Sequence, residues 1–445
     1  MSTGARSAWL APFGVRSFRF QWPADLATAF AFEMETLILG WYVLSESGSV
    51  SMLVLFGALQ YLGSLLAPLY GVAGDRIGYR TLICATRAMF ALQAATLTIL
   101  SMGGLLTPVI VLIIASISGT LRPSDLVMRN ALIAQTMPPG QLMGALGISR
   151  TTLDSARIAG TLAGAAGAVS LGIGPTYLLV TSLYAFGFLL SFGVAGNSRR
   201  GLPAPAAPAA PAAPADPADP ADPASPASPA AAGPPPASPL RDLVQGFAII
   251  WRKPELLGAM SVASMINLLL FPFFNGLLPY AAKQVYGTDQ LGLSYLAVSF
   301  SLGGLIGSIV LAINRFALRA SRTMLISCAA WCVLLIAFTS VTDMRAGLVL
   351  LFLSGLAQSL CVTPLAAVML RSADVEFRGR IMGMRMLAVW GLPAGLLASG
   401  PIITAFGFAA AGIAYGLTAL ALTIAIGAYW RARLWRLTAP ANAHV

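Results

Sequence analysis

Long apolar segments recur along almost the whole chain, and they set the strongest limit on what it can fold into. A bilayer core of about 30 Å needs about 20 apolar residues per helix. The chain of 445 residues is 57% hydrophobic and only 10% charged, whereas about a quarter of the residues of a soluble domain carry charge. We therefore predict an all-α polytopic membrane protein. Its twelve spans, numbered 1 to 12 in chain order, are 22–44, 51–72, 82–102, 107–127, 142–168, 176–195, 256–280, 291–313, 324–341, 346–370, 381–403 and 406–429.

The basic residues indicate how the chain crosses the membrane. A formal charge of +11 is compatible with nucleic-acid binding, but the arginines and lysines concentrate in loops that twelve crossings would place on one side. In the opposite loops lie only Lys283 and Arg345. By the positive-inside rule both termini are cytoplasmic, and no nucleic-acid partner is expected. Arginine supplies 25 of the 27 basic residues, which is typical of GC-rich bacterial genomes, so we expect the inner membrane.

The sequence contains no pattern typical of an enzyme. The single histidine is His444, and no phosphate loop or nucleophile motif is found. The four cysteines lie inside predicted spans without the further ligands that a zinc site needs. We therefore expect no enzymatic activity, no cofactor and no metal. Because no ATP-binding motif is present, an ion gradient would have to energise any transport.

A charged, glycine-rich turn separates spans 2 and 3. It matches the pattern G-x-x-x-D-R-x-G-x-[RK], which resembles the loop between the second and third helices of the major facilitator superfamily. The matching residues are Gly71, Asp75, Arg76, Gly78 and Arg80. Tyr79 departs where that family often has a second basic residue. The resemblance implies a transporter in which this motif acts as a conformational switch.

An internal repeat supports a duplicated architecture. Residues 75–80 match 314–319, and residues 142–144 match 381–383, both at an offset of 239. Two six-helix bundles related by an axis along the membrane normal are a known transporter architecture. We predict an N-terminal half at 1–198, an Ala/Pro-rich cytoplasmic linker at 199–240, a C-terminal half at 241–437 and a cytoplasmic tail at 438–445. Proline at this density leaves the linker extended or disordered, either as a passive tether or as a docking strip.

Four charged residues fall within the predicted spans near mid-membrane. A charge there costs roughly 2.5–3.5 kcal/mol on insertion scales, so each needs a reason. Glu33 and Glu35 lie two residues apart on span 1, about 200° around the helix, so we expect one of them to face a central cavity. Each is either a proton-exchanging carboxyl or a hydrogen-bond partner of a neighbouring helix, with Glu35 preferred for proton exchange. Asp154 and Arg157 on span 5 are spaced to pair with each other, either statically or in response to substrate.

Two further sets of polar residues are candidates for the gate and the substrate site. Arg122, Asp125 and Arg129 form a charged stripe on span 4, and Arg378 and Arg380 follow span 10. We interpret these five as cytoplasmic gate candidates. The arginine expected higher in span 4 of drug/proton antiporters is missing, because Ala115 and Ser116 occupy that region. The substrate-site candidates of the second half are Asn267, Asn275, Gln358 and Trp390.

The asparagines at 267 and 275 flank Pro272 in span 7, and broken helices often line transport sites. Amides among phenylalanines suit an amphipathic organic molecule. The alternative is that these amides have a structural role and support a kink. Gly160 and Gly164 on span 5 resemble the antiporter motif G-P-x-x-G-G, with threonine and alanine at two positions. The segments 34–49 and 378–383 resemble the branch that includes the enterobactin exporter.

These resemblances imply a secondary active transporter that exports a small amphipathic molecule by alternating access with proton coupling. Its expected partners are the lipid bilayer, the small-molecule substrate and protons, and it is expected to be a monomer. Two alternatives stay open. One is a membrane sensor or scaffold on the same fold, and the other is an uptake facilitator.

Overall fold

The computed structural model describes residues 11–194, 251, 253–313, 320–372 and 388–430. Within these ranges α-helices, with short 3₁₀ and π-helical turns, occupy the predicted spans and no strand occurs, which confirms the all-α class. The predicted linker 199–240 and tail 438–445, and the repeat segments 314–319 and 381–383, lie outside the described residues.

Spans 1 to 6 are helical throughout, with one break. A 3₁₀ turn at Ala11–Gly14 precedes span 1, and a second 3₁₀ turn, Leu62–Leu66, divides span 2 into two α-helices. Ser49 and Thr107 begin spans 2 and 4 as N-caps, because each hydroxyl accepts a backbone N–H bond at 3.4 Å. The α-helices are Arg16–Ser47, Val50–Leu59, Ala67–Ile77, Tyr79–Met102, Pro108–Thr136, Pro139–Leu171 and Ile173–Ser191.

Span 7 is the most irregular of the described helices in the second half. It runs from Pro254–Met265 through π-helical turns at Ile266–Leu270, Pro272–Gly276 and Ala281–Val285, with a short α-turn at Leu278–Tyr280. The discontinuity expected around Pro272 therefore takes the form of widened turns, which are frequent at functional sites. The remaining helices are Gln290–Ile313, Ala320–Ser340, Met344–Ser372, Gly391–Phe406 and Phe408–Tyr429.

Eight of the described helices are long and apolar enough to cross a membrane. Shorter apolar helical stretches cover Val50–Ser64, Pro254–Leu270 and Gly391–Phe406. The helix of span 5, Pro139–Leu171, has 33 residues and carries three charged side chains near its middle, Arg150, Asp154 and Arg157. The described helices thus fit a polytopic membrane protein.

The buried apolar side chains divide into two main cores. One core draws only on spans 1 to 6, between Ala31 and Tyr184. The other draws on spans 7 to 12 and takes in four residues of the first half, namely Leu37, Val50, Val54 and Ala165. Each half therefore has its own interior, as two packed bundles require.

The two halves touch where span 5 packs on span 8, where span 2 crosses span 11 and where span 1 meets span 7. A Cβ built on Gly400 would lie 2.9 Å from a methyl group of Val54 and 3.8 Å from the Cα of Ser51. A Cβ on Gly40 would lie 3.5 Å from the ring of Pro279. Small residues allow this close approach of helices. The contacts of Gly40 and Gly400 lie toward the end of the bundle where span 1 ends and span 2 begins.

Candidate functional site

A cavity of about 160 Å³ lies between the two halves, at the level of the middle of spans 1 and 8. Both halves contribute to its wall, through spans 1, 2, 4 and 5 on one side and spans 7, 8 and 11 on the other. Its lining residues are Phe32, Glu33, Thr36, Leu37, Gly57, Gln60, Tyr61, Arg122, Arg157, Thr161, Phe274, Asn275, Leu278, Pro279, Leu293, Ala297, Phe300, Ser301 and Leu396. We call this the central cavity.

Of the two glutamates on span 1, Glu33 lines the central cavity. Its carboxylate lies 3.6 Å from the Nε of Arg157 on span 5. The approach of the two spans depends on Gly160 and Gly164, because a Cβ on Gly160 would lie 3.1 Å from the Cβ of Glu33 and one on Gly164 would lie 2.9 Å from the Cα of Met34. The glycine pair that resembles the antiporter motif therefore brings this acid and base together.

Glu35 lies on another side of span 1 and is buried. Its carboxylate accepts a hydrogen bond of 2.6 Å from the hydroxyl of Tyr184 on span 6. It also borders a small cavity of about 20 Å³. Arg122 and Gln60 line both this small cavity and the central cavity. Its described hydrogen-bond partner is neutral, whereas the partner of Glu33 is charged.

Arg122 lines the central cavity, and its role as a cytoplasmic gate residue stays a prediction. Its guanidinium lies over the ring of Phe32, and its Nη1 donates to the side-chain oxygen of Gln60 at 3.0 Å. Seven residues along a helix correspond to about 10 Å. The stripe from Arg122 to Arg129 therefore reaches two different levels of the bundle. The central cavity therefore does contain an arginine of span 4, and Arg122 lies about two helical turns beyond Ala115 and Ser116.

The second half lines the central cavity with neutral groups. Phe274 and Phe300 stack with ring centroids 4.9 Å apart and an interplanar angle of 11°, and Asn275 lies beside them. Asn267 does not line this cavity, and its amide donates to the carbonyl of Ala263 in its own helix at 2.8 Å. That bond fits the kink-supporting alternative for Asn267.

A second cavity of about 120 Å³ adjoins the first and lies between spans 5, 8 and 10. Arg157, Phe300 and Ser301 line both cavities. Gln358 lines the second one together with Asp154, but Trp390 lines neither. The indole nitrogen of Trp390 has no hydrogen-bond partner among the described residues.

The predicted pairing of Asp154 with Arg157 is replaced by two other ion pairs. Asp154 lies 3.2 Å from the Nε of Arg150, one helical turn away on span 5. Arg157 turns toward Glu33 on span 1. Helical spacing alone allowed the i,i+3 pair, but Arg157 has a carboxylate within reach on a neighbouring span, and Asp154 has an arginine within reach one turn back.

A buried network of four charges ties spans 1, 3 and 4 together near one end of the first half. The guanidinium of Arg87 contacts the carboxylates of Asp25 and, at 3.1 Å, Asp125. Arg129 contacts Asp125 at 2.8 Å and Asp25 at 3.5 Å, and Arg87 also donates to the hydroxyl of Ser191 on span 6 at 2.9 Å. Asp125 and Arg129 thus lie in this network, and their role as gate residues stays a prediction. Nothing in the sequence singled out Asp25 and Arg87.

The backbone conformation of the signature turn explains why one of its positions is a glycine. Gly78 joins the two helices Ala67–Ile77 and Tyr79–Met102 with φ of +98°, a value that favours glycine. Arg80 donates to the carbonyl of Phe192 at the end of span 6 at 2.6 Å, and Arg76 is exposed. The surroundings of Gly71 and of the Asp75 side chain lie outside the description, as do the gate candidates Arg378 and Arg380.

The four cysteines are free thiols. In the described ranges no group of three histidine, cysteine or acidic residues is placed to hold a metal ion.

Comparisons with known proteins agree on one family and one fold. A sequence model described as Major Facilitator Superfamily matches residues 8–398, whereas a comparison with curated protein sequences gives no significant match. Among solved structures, a peptide transporter POT in complex with sulfate is similar at a TM-score of 0.66 and 13% identity, covering 95% of this chain and 96% of that one. The nucleoside transporter NupG is similar at 0.63 and 14%, covering 93% and 99%.

A third similar structure is a bacterial homologue of the human lysosomal transporter Spinster, in an inward-facing and unoccupied conformation. Its TM-score is 0.65 at 12% identity, with 95% of this chain and 98% of that chain covered. At identities this low, the similarity indicates only a shared fold.

Proposed function

The chain belongs to the Major Facilitator Superfamily, and we propose that it exports a small amphipathic organic molecule by alternating access. The observation that carries the proposal is the central cavity, because residues of both halves line it at mid-membrane. A cavity at the interface of two bundles can open to one side and then to the other as the bundles rock. The central cavity therefore lies where a rocking motion of the two bundles would expose it first to one side of the membrane and then to the other.

The wall of the cavity favours an amphipathic substrate. One side offers the stacked rings of Phe274 and Phe300, and the other offers the charged groups of Glu33, Arg122 and Arg157. Ligand sites are commonly apolar with a few convergent polar groups that fix orientation. A drug-like compound, a siderophore or a metabolite with an aromatic ring fits this description better than a sugar, which would require more polar partners.

Export and proton coupling rest on span 1 and on the sequence resemblances. The segments 34–49 and 378–383 resemble the branch that includes the enterobactin exporter, and Gly160 and Gly164 resemble an antiporter motif. Glu35 is the proposed proton carrier, since it can gain or lose a proton without breaking an ion pair to a described residue. Glu33 would have to release Arg157 first.

The expected setting is the inner membrane of a bacterium, with both termini in the cytoplasm. This orientation is supported by the basic residues, which concentrate in the loops of one side. The two halves are expected to be residues 1–198 and 241–437, and the protein is expected to act as a monomer. The signature motif from Gly71 to Arg80 is the proposed switch between inward-open and outward-open states.

Flux in sealed vesicles tests the proposal. The full-length protein would be reconstituted into proteoliposomes and offered labelled aromatic carboxylates, aromatic ammonium ions and catechols. We expect protein-dependent flux of at least one class, accelerated by a proton gradient of one orientation. Folded protein that moves none of them would favour a sensor or scaffold, and flux that ignores the proton gradient would favour a facilitator.

A further inference from the structure

The arginines within the spans of the first half differ in how they are paired. Arg87 and Arg129 each contact two carboxylates, and Arg157 lies 3.6 Å from one. Arg122 has no carboxylate within 4 Å among the residues that the structure describes. An arginine inside the membrane without a partner is expensive. Of these four arginines, Arg122 is therefore the one for which no described residue supplies a direct counter-ion.

The contacts of Arg122 hold it in place and leave donors free. A guanidinium has five N–H donors in a rigid plane, and the described hydrogen bond from Arg122 uses Nη1 toward Gln60. The guanidinium also lies over the ring of Phe32. The side chain lines the central cavity, so its remaining donors can meet a bound molecule there.

Arg157 supplies a second, loosely paired cation to the same cavity. Its 3.6 Å separation from Glu33 is longer than the 2.7–2.9 Å or so of a strong charge-assisted hydrogen bond. A carboxylate brought in from outside could compete with Glu33 for this guanidinium. Glu35 forms no ion pair with Arg122 within 4 Å, and its described hydrogen bond comes from the Tyr184 hydroxyl.

We propose that the central cavity binds a small aromatic or otherwise apolar carboxylate, whose anionic group lies on Arg122 and reaches Arg157. Its apolar part packs on Phe274 and Phe300 in the opposite half, which are stacked and uncharged. The planar fork of arginine matches a carboxylate with two parallel hydrogen bonds. This inference rests on the proposed function and narrows its substrate class to organic anions.

Three ligands of nearly equal size test the charge preference. The purified full-length protein would be titrated in detergent with phenylacetate, 2-phenylethanol and 2-phenylethylammonium, and affinities derived from the rise of the unfolding midpoint. Phenylacetate is expected to bind at least about tenfold more tightly than the other two, because a hydrogen bond to a charged group adds that much. Acetate, which lacks the ring, is expected to bind at least about tenfold more weakly than phenylacetate.

Substitutions test which residues cause the preference for phenylacetate. Arg122→Gln should reduce phenylacetate affinity to that of the alcohol and leave the alcohol unchanged, and Arg122→Lys should keep only part of the preference because it loses the planar fork. Arg157→Gln should weaken phenylacetate binding less. Arg345→Gln, which removes an exposed charge in another region, is the matched control and should bind like the wild type. If Arg122→Gln does not fold, the lysine and Arg157 variants carry the test.

Equal affinity for the three aromatic probes, tighter binding of the ammonium ion, or no binding of any of them would overturn the anion site. An unchanged preference in Arg122→Gln would do the same. The vesicle experiment separates this result from the proposed function. Carboxylate preference without any flux would keep the anion site and remove the transporter, whereas flux of aromatic ammonium ions without carboxylate preference would keep the transporter and remove the anion site.

Discussion

The two halves differ in whether their buried side chains are charged. Each charged side chain that is buried in the described part of the chain belongs to the first half, namely Asp25, Glu35, Arg87, Asp125 and Arg129. The buried polar side chains of the second half are serines, threonines and a glutamine. Charged residues of the second half such as Lys283, Asp289 and Asp343 lie near the ends of its spans.

The difference indicates a division of roles at the central cavity. Charges in a low-dielectric interior need fixed partners, so the first half holds its guanidinium and carboxylate groups in set positions. The second half contributes an aromatic wall and the π-helical turns of span 7. We infer that the first half sets the charge that the site accepts, and that the second half sets the shape of the apolar part.

The largest effect is expected from the buried network of the first half. Asp25→Asn would leave Arg87 and Arg129 with one carboxylate between them, and breaking a buried ion pair costs about 3–5 kcal/mol. The free energy of unfolding in detergent should fall by that amount. Asp154→Asn is the matched control, because Arg150 in that pair is 73% exposed and such pairs contribute about 1 kcal/mol or less. Equal stability of the two variants would contradict this account of the network.

The network also shows what the sequence could not reveal. Twelve apolar segments and the signature turn predicted the fold class, because span length and hydropathy are local properties. Asp25 and Arg87 lie 62 positions apart, and each alone resembles an ordinary polar residue near the end of a span. Only the packing of spans 1, 3 and 4 brings them together. The same limit explains Arg157, whose partner is on span 1 rather than on its own helix.

The two glutamates of span 1 are expected to differ in function. Glu35→Gln keeps size and hydrogen bonding to Tyr184 but cannot carry a proton, so gradient-driven accumulation should be lost while substrate binding remains. Glu33→Gln should retain accumulation with altered affinity, because it frees Arg157 from its carboxylate partner. Uphill flux would be measured in proteoliposomes across a range of pH. If both variants, singly and together, keep the wild-type pH dependence, span 1 does not carry the proton.

A smaller effect is expected at the turn between spans 2 and 3, where the first half has Gly78 and the matching position of the second half is Ala317. Gly78→Ala would place a side chain at φ of +98°, which costs about 1–3 kcal/mol. The unfolding midpoint should fall and flux should slow. Gly147→Ala, on span 5 where an added Cβ meets open space, is the control and should be neutral or slightly stabilising. A Gly78→Ala protein as stable as this control would show that the turn is not strained.

The central claim is that the cavity between the halves opens alternately, and a reversible cross-link tests it most directly. Ser51 and Gly400 face each other across the contact of spans 2 and 11, with a built Cβ on Gly400 lying 3.8 Å from the Cα of Ser51, a separation compatible with a disulfide. Cysteines would be placed at both positions after the four native cysteines are replaced by alanine. The single variants Ser51→Cys and Gly400→Cys serve as controls, the second because a Cβ on Gly400 would lie 2.9 Å from a methyl group of Val54 and so disturbs the contact by itself.

Flux of the compound that moves fastest in the vesicle panel would be measured before oxidation, after oxidation and after reduction. The account predicts that the reduced protein keeps the flux of the Gly400→Cys variant, that flux is lost once the disulfide forms, and that it recovers on reduction, while oxidation leaves the two single-cysteine controls unchanged. Undiminished flux through the fully cross-linked protein would contradict alternating access at this cavity.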